Sequence, residues 1–195
     1  MNIPIQFILY ILIILLYTIH KKRKGYSIDF ILNHIGLSFS YAKYYYFAIL
    51  VAFFSSLLAW ILFILFPVDH SLLTQTSYKN YNISDISLFT VILVFFGELI
   101  FVSFGEELLF RGLIGGYLFK KFSFLVANLF QMLIFLLPHL LLLSISLKLF
   151  PFIITIMISA WFLGWLRFKS DSVLPCIITH TIVNTLSIIY FFSNI

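Results

Sequence analysis

Long apolar stretches recur along this sequence and constrain its fold more than any other feature. Hydrophobic residues make up 63% of the chain and charged residues 10%, whereas charged residues are about a quarter of an ordinary soluble domain. The mean hydropathy is +1.12, and a helix that spans a bilayer needs about 20 apolar residues. We therefore predict an all-α, polytopic integral membrane protein with the lipid bilayer as its first partner.

Basic residues and prolines divide the apolar sequence into about six predicted transmembrane helices. In chain order we place them at about 3–19, 44–66, from 86 onward, 122–146, 151–166 and 173–192. No basic segment precedes the first span, so we expect a retained helix and not a signal peptide. We divide this single membrane domain into residues 1–85, with two spans, and a core of residues 86–195.

Lysine and arginine are distributed unevenly between the two ends of these spans. With the amino terminus outside, ten of the twelve basic residues fall on the cytoplasmic side, and Lys79 and Lys148 fall outside. The positive-inside rule favours this arrangement. We expect both termini outside and, from the Phe-, Ile-, Lys- and Asn-rich composition, a bacterial plasma membrane. No polar face gathers the basic residues, so nucleic acid is not an expected partner.

Three carboxylates lie close together in one apolar stretch. Glu98, Glu106 and Glu107 are three of seven acidic residues in the chain, and Arg111 follows them. A charged side chain in hydrocarbon costs at least about 2.5–3.5 kcal/mol, so such residues point to a functional site. On a helix Glu107 and Arg111 are one turn apart, whereas Glu106 points about 100° away. Glu107 can therefore pair with Arg111 while Glu106 faces another neighbour.

Two of the five histidines, His139 and His180, lie inside apolar segments, and Asn184 follows His180 by one helical turn. The other three lie in or beside polar loops and are expected to be solvated: His20, His34 and His70. Buried polar groups in lipid must contact one another or line a water-filled cavity. We therefore predict that four side chains converge on one site: Glu106, His139, His180 and Asn184.

The depth of His139 places a condition on this site. With a span that begins at Phe122, His139 would lie about 26 Å deep, too far from His180 at about 12 Å. We therefore expect an interfacial or re-entrant helix within residues 112–130, between the third and fourth spans, and a fourth span that begins nearer Leu129. Polar side chains in this region agree with that prediction: Lys120, Lys121, Asn128 and Gln131.

These residue types suit hydrolysis by an activated water molecule. A buried carboxylate is a suitable general base, and imidazole and amide groups can donate to an oxyanion or help to hold a divalent metal. The candidate metal ligands are Glu106, His139 and His180, with Zn²⁺ as the expected ion. The His-Glu-x-x-His motif of zinc proteases is absent, and we interpret Cys176 as a packing residue.

Three spaced motifs resemble those of the CPBP intramembrane proteases, a family that includes CAAX prenyl endopeptidases and Abi-like bacteriocin-processing and self-immunity proteins. Each motif alone is weak, because a four-residue spacing arises easily by chance. Three motifs in the family's order are specific. Within about residues 90–190 they run from Glu106-Glu107 to Arg111, from Phe135 to His139 and from His180 to Asn184.

The resemblance implies a helical membrane fold with a water-filled cavity open to the cytoplasm. It implies that Glu106 activates the water and that His139 orients the water or binds a metal. His180 and Asn184 would stabilise the oxyanion or complete a metal site. Two further residues would support the site structurally: Glu107 and Arg111. A metalloprotease and a metal-free glutamate mechanism both remain open.

The favoured hypothesis is an intramembrane endopeptidase that cleaves a leader peptide or a membrane-anchored protein near the cytoplasmic face. The alternative is a non-catalytic bacteriocin self-immunity or scaffold protein that retains the motifs for packing. A small transporter with a proton relay through Glu98, Glu106 and the histidines ranks lowest, since no internal repeat is evident. Glu98 could line the cavity or hydrogen-bond a neighbouring helix, and we favour the hydrogen bond.

Overall fold

The computed structural model describes residues 5–193, apart from residues 77, 79, 80, 82 and 84 and the side chain of His70. The described residues form helices and connections, with no strand among them. Lys79, which we predicted outside the membrane, and Ile3, the predicted start of the first span, lie outside the described residues.

The helices follow one another along the chain. In the described part of the chain they are α1 (Ile5–Arg23), α2 (Ile28–His34), α3 (Ala42–Leu65), α4 (His70–Leu73), α5 (Leu88–Lys121), α6 (Phe124–His139), α7 (Leu142–Ile145), α8 (Phe150–Ser170) and α9 (Leu174–Ser193), with a 3₁₀ turn at Leu147–Leu149. Six segments of these residues are long and apolar enough to cross a membrane: α1, α3, α5, α6 with α7, the 3₁₀ turn with α8, and α9. The predicted all-α membrane fold with six spans is confirmed.

The third spanning helix, α5, is 34 residues long and changes its hydrogen-bonding pattern twice. Leu99–Ser103 and Leu108–Gly115 have the wide turns of a π-helix. They flank the α-helical turn Phe104–Glu107, which carries the two adjacent glutamates. Short π segments within α-helices are frequent at functional sites, so the backbone of α5 is irregular on both sides of the acidic motif.

No separate helix lies between α5 and α6 among the described residues, and the prediction that the fourth span begins near Leu129 was wrong; an interfacial position for part of residues 112–130 stays a prediction. Helix α5 continues to Lys121, and α6 begins at Phe124 instead of near Leu129. Fifteen residues separate Glu106 from the end of α5, and fifteen separate His139 from the start of α6. At 1.5 Å per residue both side chains lie about 22 Å from the α5–α6 turn, which places them at similar depth.

Two buried amides on α6 hold it against α8. Nδ2 of Asn128 donates to the carbonyl oxygen of Trp161 at 3.1 Å, and Nε2 of Gln131 donates to that of Ala160 at 3.0 Å. Both amide side chains are fully buried, not interfacial as we predicted. The helices approach closely because α8 has Gly164 here: a Cβ at this position would lie 1.8 Å from Oδ1 of Asn128.

Helix α3 packs along α8 and α9 through a face of small residues. The buried members of this face recur at helical spacing: Ala48, Ala52, Ser55, Ser56 and Ala59. Small side chains allow helix backbones to approach closely in a bilayer. The hydroxyl of Thr179 on α9 donates to the carbonyl oxygen of Ala48 at 3.0 Å. Helix α3 is therefore part of the same bundle as the C-terminal spans.

The single cysteine, Cys176, lies fully buried on α9. Its Sγ lies 3.4 Å from the carbonyl oxygen of Leu163 on α8. The thiol therefore packs between two helices, as the sequence predicts.

Candidate active site

A fully buried ion pair lies at the centre of the bundle. Nη1 of Arg111 donates to Oε1 of Glu107 at 3.0 Å, and neither side chain is exposed. The pair has the i,i+4 geometry that the sequence predicts. The ring of Phe135 on α6 lies over the guanidinium, 4.0 Å from Cζ, so a cation–π contact also stabilises the arginine. Phe135 thereby links the first and second motifs.

His180 reaches the same carboxylate from α9. Its Nδ1 lies 2.8 Å from Oε1 of Glu107, and the imidazole is buried. A carboxylate that is paired with an arginine can accept but not donate, so Nδ1 of His180 carries the proton. Glu107 therefore fixes the orientation of the ring and leaves Nε2 directed towards Glu106. We predicted structural support from Glu107 but not this contact with His180.

Glu106 faces away from the ion pair, as its one-residue offset predicts. Its Oε2 lies 3.9 Å from Nε2 of His180, beyond a direct hydrogen bond. This oxygen is buried and has no hydrogen-bond partner within the described residues. Helix α1 packs beside this turn: a Cβ on Gly105 would lie 3.4 Å from the ring of Phe7. A buried carboxylate oxygen without a partner can accept a proton or bind a water molecule.

His139 lies at the end of α6 and is half-buried. Its Nδ1 lies 2.8 Å from the carbonyl oxygen of Phe135. Since a carbonyl only accepts, Nδ1 of His139 donates, and Nε2 of the neutral ring is left as an acceptor. The ring of Phe135 contacts both histidines, with centroids 4.6 Å from His139 and 6.2 Å from His180. No hydrogen bond joins His139 to Glu106 within the described part of the chain.

Asn184 contacts Glu98 and not Glu106. Its Nδ2 donates to Oε2 of Glu98 at 2.7 Å, and the hydroxyl of Tyr81 donates to Oε1. Burial and the nearby charge of Glu98 raise the pKa of Tyr81, so its hydroxyl keeps its proton. The prediction that Glu98 hydrogen-bonds a neighbouring helix is confirmed. Asn184 remains one helical turn from His180, at the edge of the site.

The sequence reasoning missed two contributions to this arrangement. Tyr81 lies in the polar loop before α5, where its role could not be read from hydropathy. One signal was available, because a carboxylate such as Glu98 inside a span requires donors and the neighbouring loop supplies a phenol. The central position of the Phe135 ring was also missed, since a phenylalanine in an apolar helix has no distinguishing pattern.

The expected metal ligands do not form a compact cluster among the described residues. No three of the described His, Cys, Asp or Glu side chains lie close enough to hold one ion. Nδ1 of His180 is bound to Glu107 and Nδ1 of His139 to the carbonyl oxygen of Phe135, which leaves Nε2 of each ring as the nitrogen that could bind a metal. A Zn²⁺ site stays a prediction.

Two surface cavities of the described bundle lie away from the glutamates. One, of about 430 Å³, is lined by residues that include Ser38, Ser40 and Asp171. The other, of about 380 Å³, is lined by residues that include Trp60 and Leu186. The predicted water-filled cavity at Glu106 therefore stays a prediction.

Comparison with models of protein families gives a match over residues 88–186. The matching model describes type II CAAX prenyl endopeptidases of the Rce1-like kind. The matched region begins with the first residue of α5, ends within α9 and contains all three motifs. Comparisons with curated proteins and with solved structures gave no significant match.

Proposed function

Because the family model covers just over half of its 195 residues, this chain belongs to the Rce1-like type II CAAX prenyl endopeptidase family, and we propose that it is an intramembrane endopeptidase with Glu106 as the general base. The chain is therefore a member of a protease family, and its six apolar helices make it an integral membrane protein. The observation that carries the proposal is the buried Oε2 of Glu106, which has no hydrogen-bond partner among the residues that the structure describes and lies 3.9 Å from Nε2 of His180.

The spacing between Glu106 and His180 suits an attacking water molecule. Oε2 of Glu106 and Nε2 of His180 are 3.9 Å apart, so one water molecule can lie about 2.8 Å from each and form a hydrogen bond to both. In the proposed reaction, Glu106 removes a proton from the water, and the oxygen of the water forms a bond to the carbonyl carbon of the substrate. When the C–N bond breaks, the same proton passes from Glu106 to the leaving amine nitrogen.

Glu107 and Arg111 prepare His180 for this reaction. The Glu107 carboxylate holds Nδ1–H of His180, so that Nε2 is directed towards the water. Arg111 neutralises Glu107 through its own hydrogen bond. The formal charge of the Glu107–Arg111 pair is therefore zero, and Glu106 alone supplies the negative charge of the base.

The oxyanion of the tetrahedral intermediate needs hydrogen-bond donors. The carboxamide of Asn184 has two N–H groups, and Glu98 holds one of them. We assign the second N–H of Asn184 to the oxyanion. We assign orientation of the water to the histidines: one hydrogen of the water goes to Glu106, and Nε2 of His180 or of His139 accepts the other.

For the substrate we propose a leader peptide or a membrane-anchored protein that is cleaved near the cytoplasmic face of a bacterial plasma membrane. The basic residues at one end of the six spans support this orientation, with both termini outside; Arg111, which lies buried within α5, no longer counts among them. The family match from residue 88 supports residues 86–195 as the catalytic part of the membrane domain.

The test is cleavage by the purified chain in lipid nanodiscs. Labelled leader and CAAX-type peptides are offered to the wild type, to Glu106→Gln and to Asp29→Asn, which removes an exposed carboxylate on α2. We expect Glu106→Gln to slow cleavage by about 10²-fold or more, the usual contribution of a general base. Asp29→Asn should cut at the wild-type rate. A chelator arm distinguishes the metalloprotease from the metal-free mechanism.

Wild-type rates in Glu106→Gln would contradict the assignment of the base. A second measurement compares cells that carry the wild type, Glu106→Gln or no copy of the protein. If no peptide is cut, and Glu106→Gln restores whatever the cells without the protein have lost, the protein is a non-catalytic self-immunity or scaffold protein instead. That outcome would leave the fold and family unchanged.

A further inference from the structure

Basic side chains from four helices meet at the end of the bundle opposite the loop of Tyr81. They are Lys21 of α1, His34 of α2, Lys120 of α5 and Arg167 of α8, and we call them the basic cluster. Nζ of Lys120 lies 3.1 Å from Nδ1 of His34. An ammonium group only donates, so Nδ1 of His34 accepts and its proton is on Nε2. Lys120 is thus bound to a neutral acceptor, which does not offset its charge.

Aromatic rings hold Lys21 and His34 side by side. Tyr17 of α1 stacks on His34, with ring centroids 6.3 Å apart. Nζ of Lys21 lies 5.6 Å from the centroid of Tyr17 and 5.0 Å from that of Tyr26. Burial first, and then the charges of Lys120, Lys21 and Arg167, lower the pKa of His34. The three cations therefore act on one imidazole, which stays neutral at neutral pH.

Arg167 is buried beneath this group, with 4% of its surface exposed. Gly36, at φ +76°, leaves the space that the guanidinium fills, since a Cβ there would lie 2.7 Å from Cζ. A Cβ on Gly116 would lie 3.5 Å from Nη2 and 3.7 Å from the carbonyl oxygen of His34, so the guanidinium lies beside α2. Nε of Arg167 is buried without a hydrogen-bond partner among the described residues.

The charges of this group do not balance. Lys21, Lys120 and Arg167 contribute three positive charges, and Asp171 offsets one of them through its 3.0 Å contact with Nη1 of Arg167. Three minus one leaves a charge of +2. The side chain of Asp171 is 97% exposed, so it neutralises the cluster poorly. Such a group of donors suits an anion with several acceptor oxygens.

We propose that the basic cluster binds the phosphate of an anionic lipid headgroup. Lys21 and Lys120 lie in the last turns of α1 and α5, where spanning helices reach the headgroup layer. Beside them, α1 exposes apolar side chains that can contact the acyl chains: Leu12, Leu15, Leu16 and Ile19. Basic pockets between spanning helices are suited to anionic headgroups. A lipid fits this combination better than a soluble phosphate compound does.

The test compares two double variants of equal charge. Lys21→Ala with Lys120→Ala removes the two lysines of the cluster, whereas Lys22→Ala with Lys121→Ala removes their exposed neighbours, which lie about 100° away on the same helices. Binding of phosphatidylglycerol and phosphatidylcholine is measured by native mass spectrometry. Unfolding temperatures are measured in phosphatidylcholine nanodiscs with increasing phosphatidylglycerol, and in detergent with inorganic phosphate at constant ionic strength.

We expect phosphatidylglycerol to bind the wild type and to raise its unfolding temperature. The Lys21/Lys120 variant should bind it roughly tenfold more weakly, or worse, while the Lys22/Lys121 variant binds as the wild type. Equal weakening in both variants would overturn the proposal, since diffuse surface charge would explain it. No weakening in either would overturn it as well. Stabilisation of the wild type by inorganic phosphate alone would support the phosphate site and replace the lipid by a soluble ligand. These readouts do not require catalysis.

Discussion

Nδ1 of His180 lies 2.8 Å from Oε1 of Glu107, the same oxygen that accepts a hydrogen bond from Arg111. One carboxylate oxygen therefore joins α9 to α5 at the buried centre of the bundle. Its neighbour Glu106 makes no hydrogen bond through Oε2 within the described residues. The two adjacent glutamates thus have different contacts, and we expect substitution of each to have a different effect.

We expect Glu107→Gln to destabilise the protein and Glu106→Gln to leave its stability close to that of the wild type. Loss of the Glu107 charge leaves Arg111 buried and unpaired, which should lower the free energy of unfolding by about 3–5 kcal/mol. Thermal unfolding in detergent and peptide cleavage are measured on both variants. Equal destabilisation by the two substitutions would contradict the assignment of Glu107 as the structural partner.

Glu98→Gln is expected to reduce kcat about tenfold with little change in KM, because an amide cannot accept from both Tyr81 and Asn184 as the carboxylate does. Asn184 then loses its fixed orientation towards the oxyanion. Tyr81→Phe, which keeps the bond between Glu98 and Asn184, should have a smaller effect on kcat. Steady-state kinetics decide, and a larger loss in Tyr81→Phe would argue against this role of Glu98.

Gly164→Ala should lower the free energy of unfolding by about 1–3 kcal/mol, the usual cost of an overpacked interior. The added Cβ would lie 1.8 Å from Oδ1 of Asn128 and 2.3 Å from Nε2 of Gln131, so either the two amides lose their hydrogen bonds to α8 or the helices separate. Gly105→Ala is the matched control, since its Cβ would lie 3.4 Å from the nearest atom. Thermal unfolding is the measurement, and an equal shift in both variants would show that close packing at Gly164 is not required.

The stability of the protein should depend on pH through His34. Burial and the charges of Lys120, Lys21 and Arg167 lower its pKa below the ordinary 6.5 in the folded state. As the pH falls through 6.5, the unfolded chain therefore binds a proton before the folded one, and the free energy of unfolding decreases until the pH reaches the folded pKa.

His34→Gln should flatten this decrease, while His20→Gln, at an exposed histidine of α1, should not. The unfolding temperature is followed from neutral to mildly acid pH. An unchanged slope in His34→Gln would assign the dependence to other groups.

Much of the fold could be predicted because each membrane span depends only on the hydropathy of residues that are neighbours in the sequence. Each span needs a run of apolar residues, and basic residues mark its end, so the six spans follow from the sequence alone. Glu107 and Arg111 pair for the same reason, since a four-residue spacing on one helix fixes their contact.

The amides of Asn128 and Gln131 show where this reasoning stops. Their polarity suggested the membrane surface, yet they donate to carbonyl oxygens of α8 in the interior. Polarity alone does not distinguish a residue that meets headgroups from one that meets a neighbouring backbone. The long α5, which places Glu106 and His139 at similar depth, was missed because the lysines at its end were interpreted as part of an interfacial or re-entrant segment.

The sequence by itself determined the spans, the motif residues and the ion pair within α5, because each depends on spacing along one helix. The tertiary structure decided that His180 contacts Glu107, that Asn184 contacts Glu98 and that Phe135 lies over Arg111. These contacts join different helices, so they depend on how far each helix is rotated and shifted along its axis. Rotation and axial shift are set by packing between helices, such as the close approach at Gly164, and no spacing within one segment encodes them.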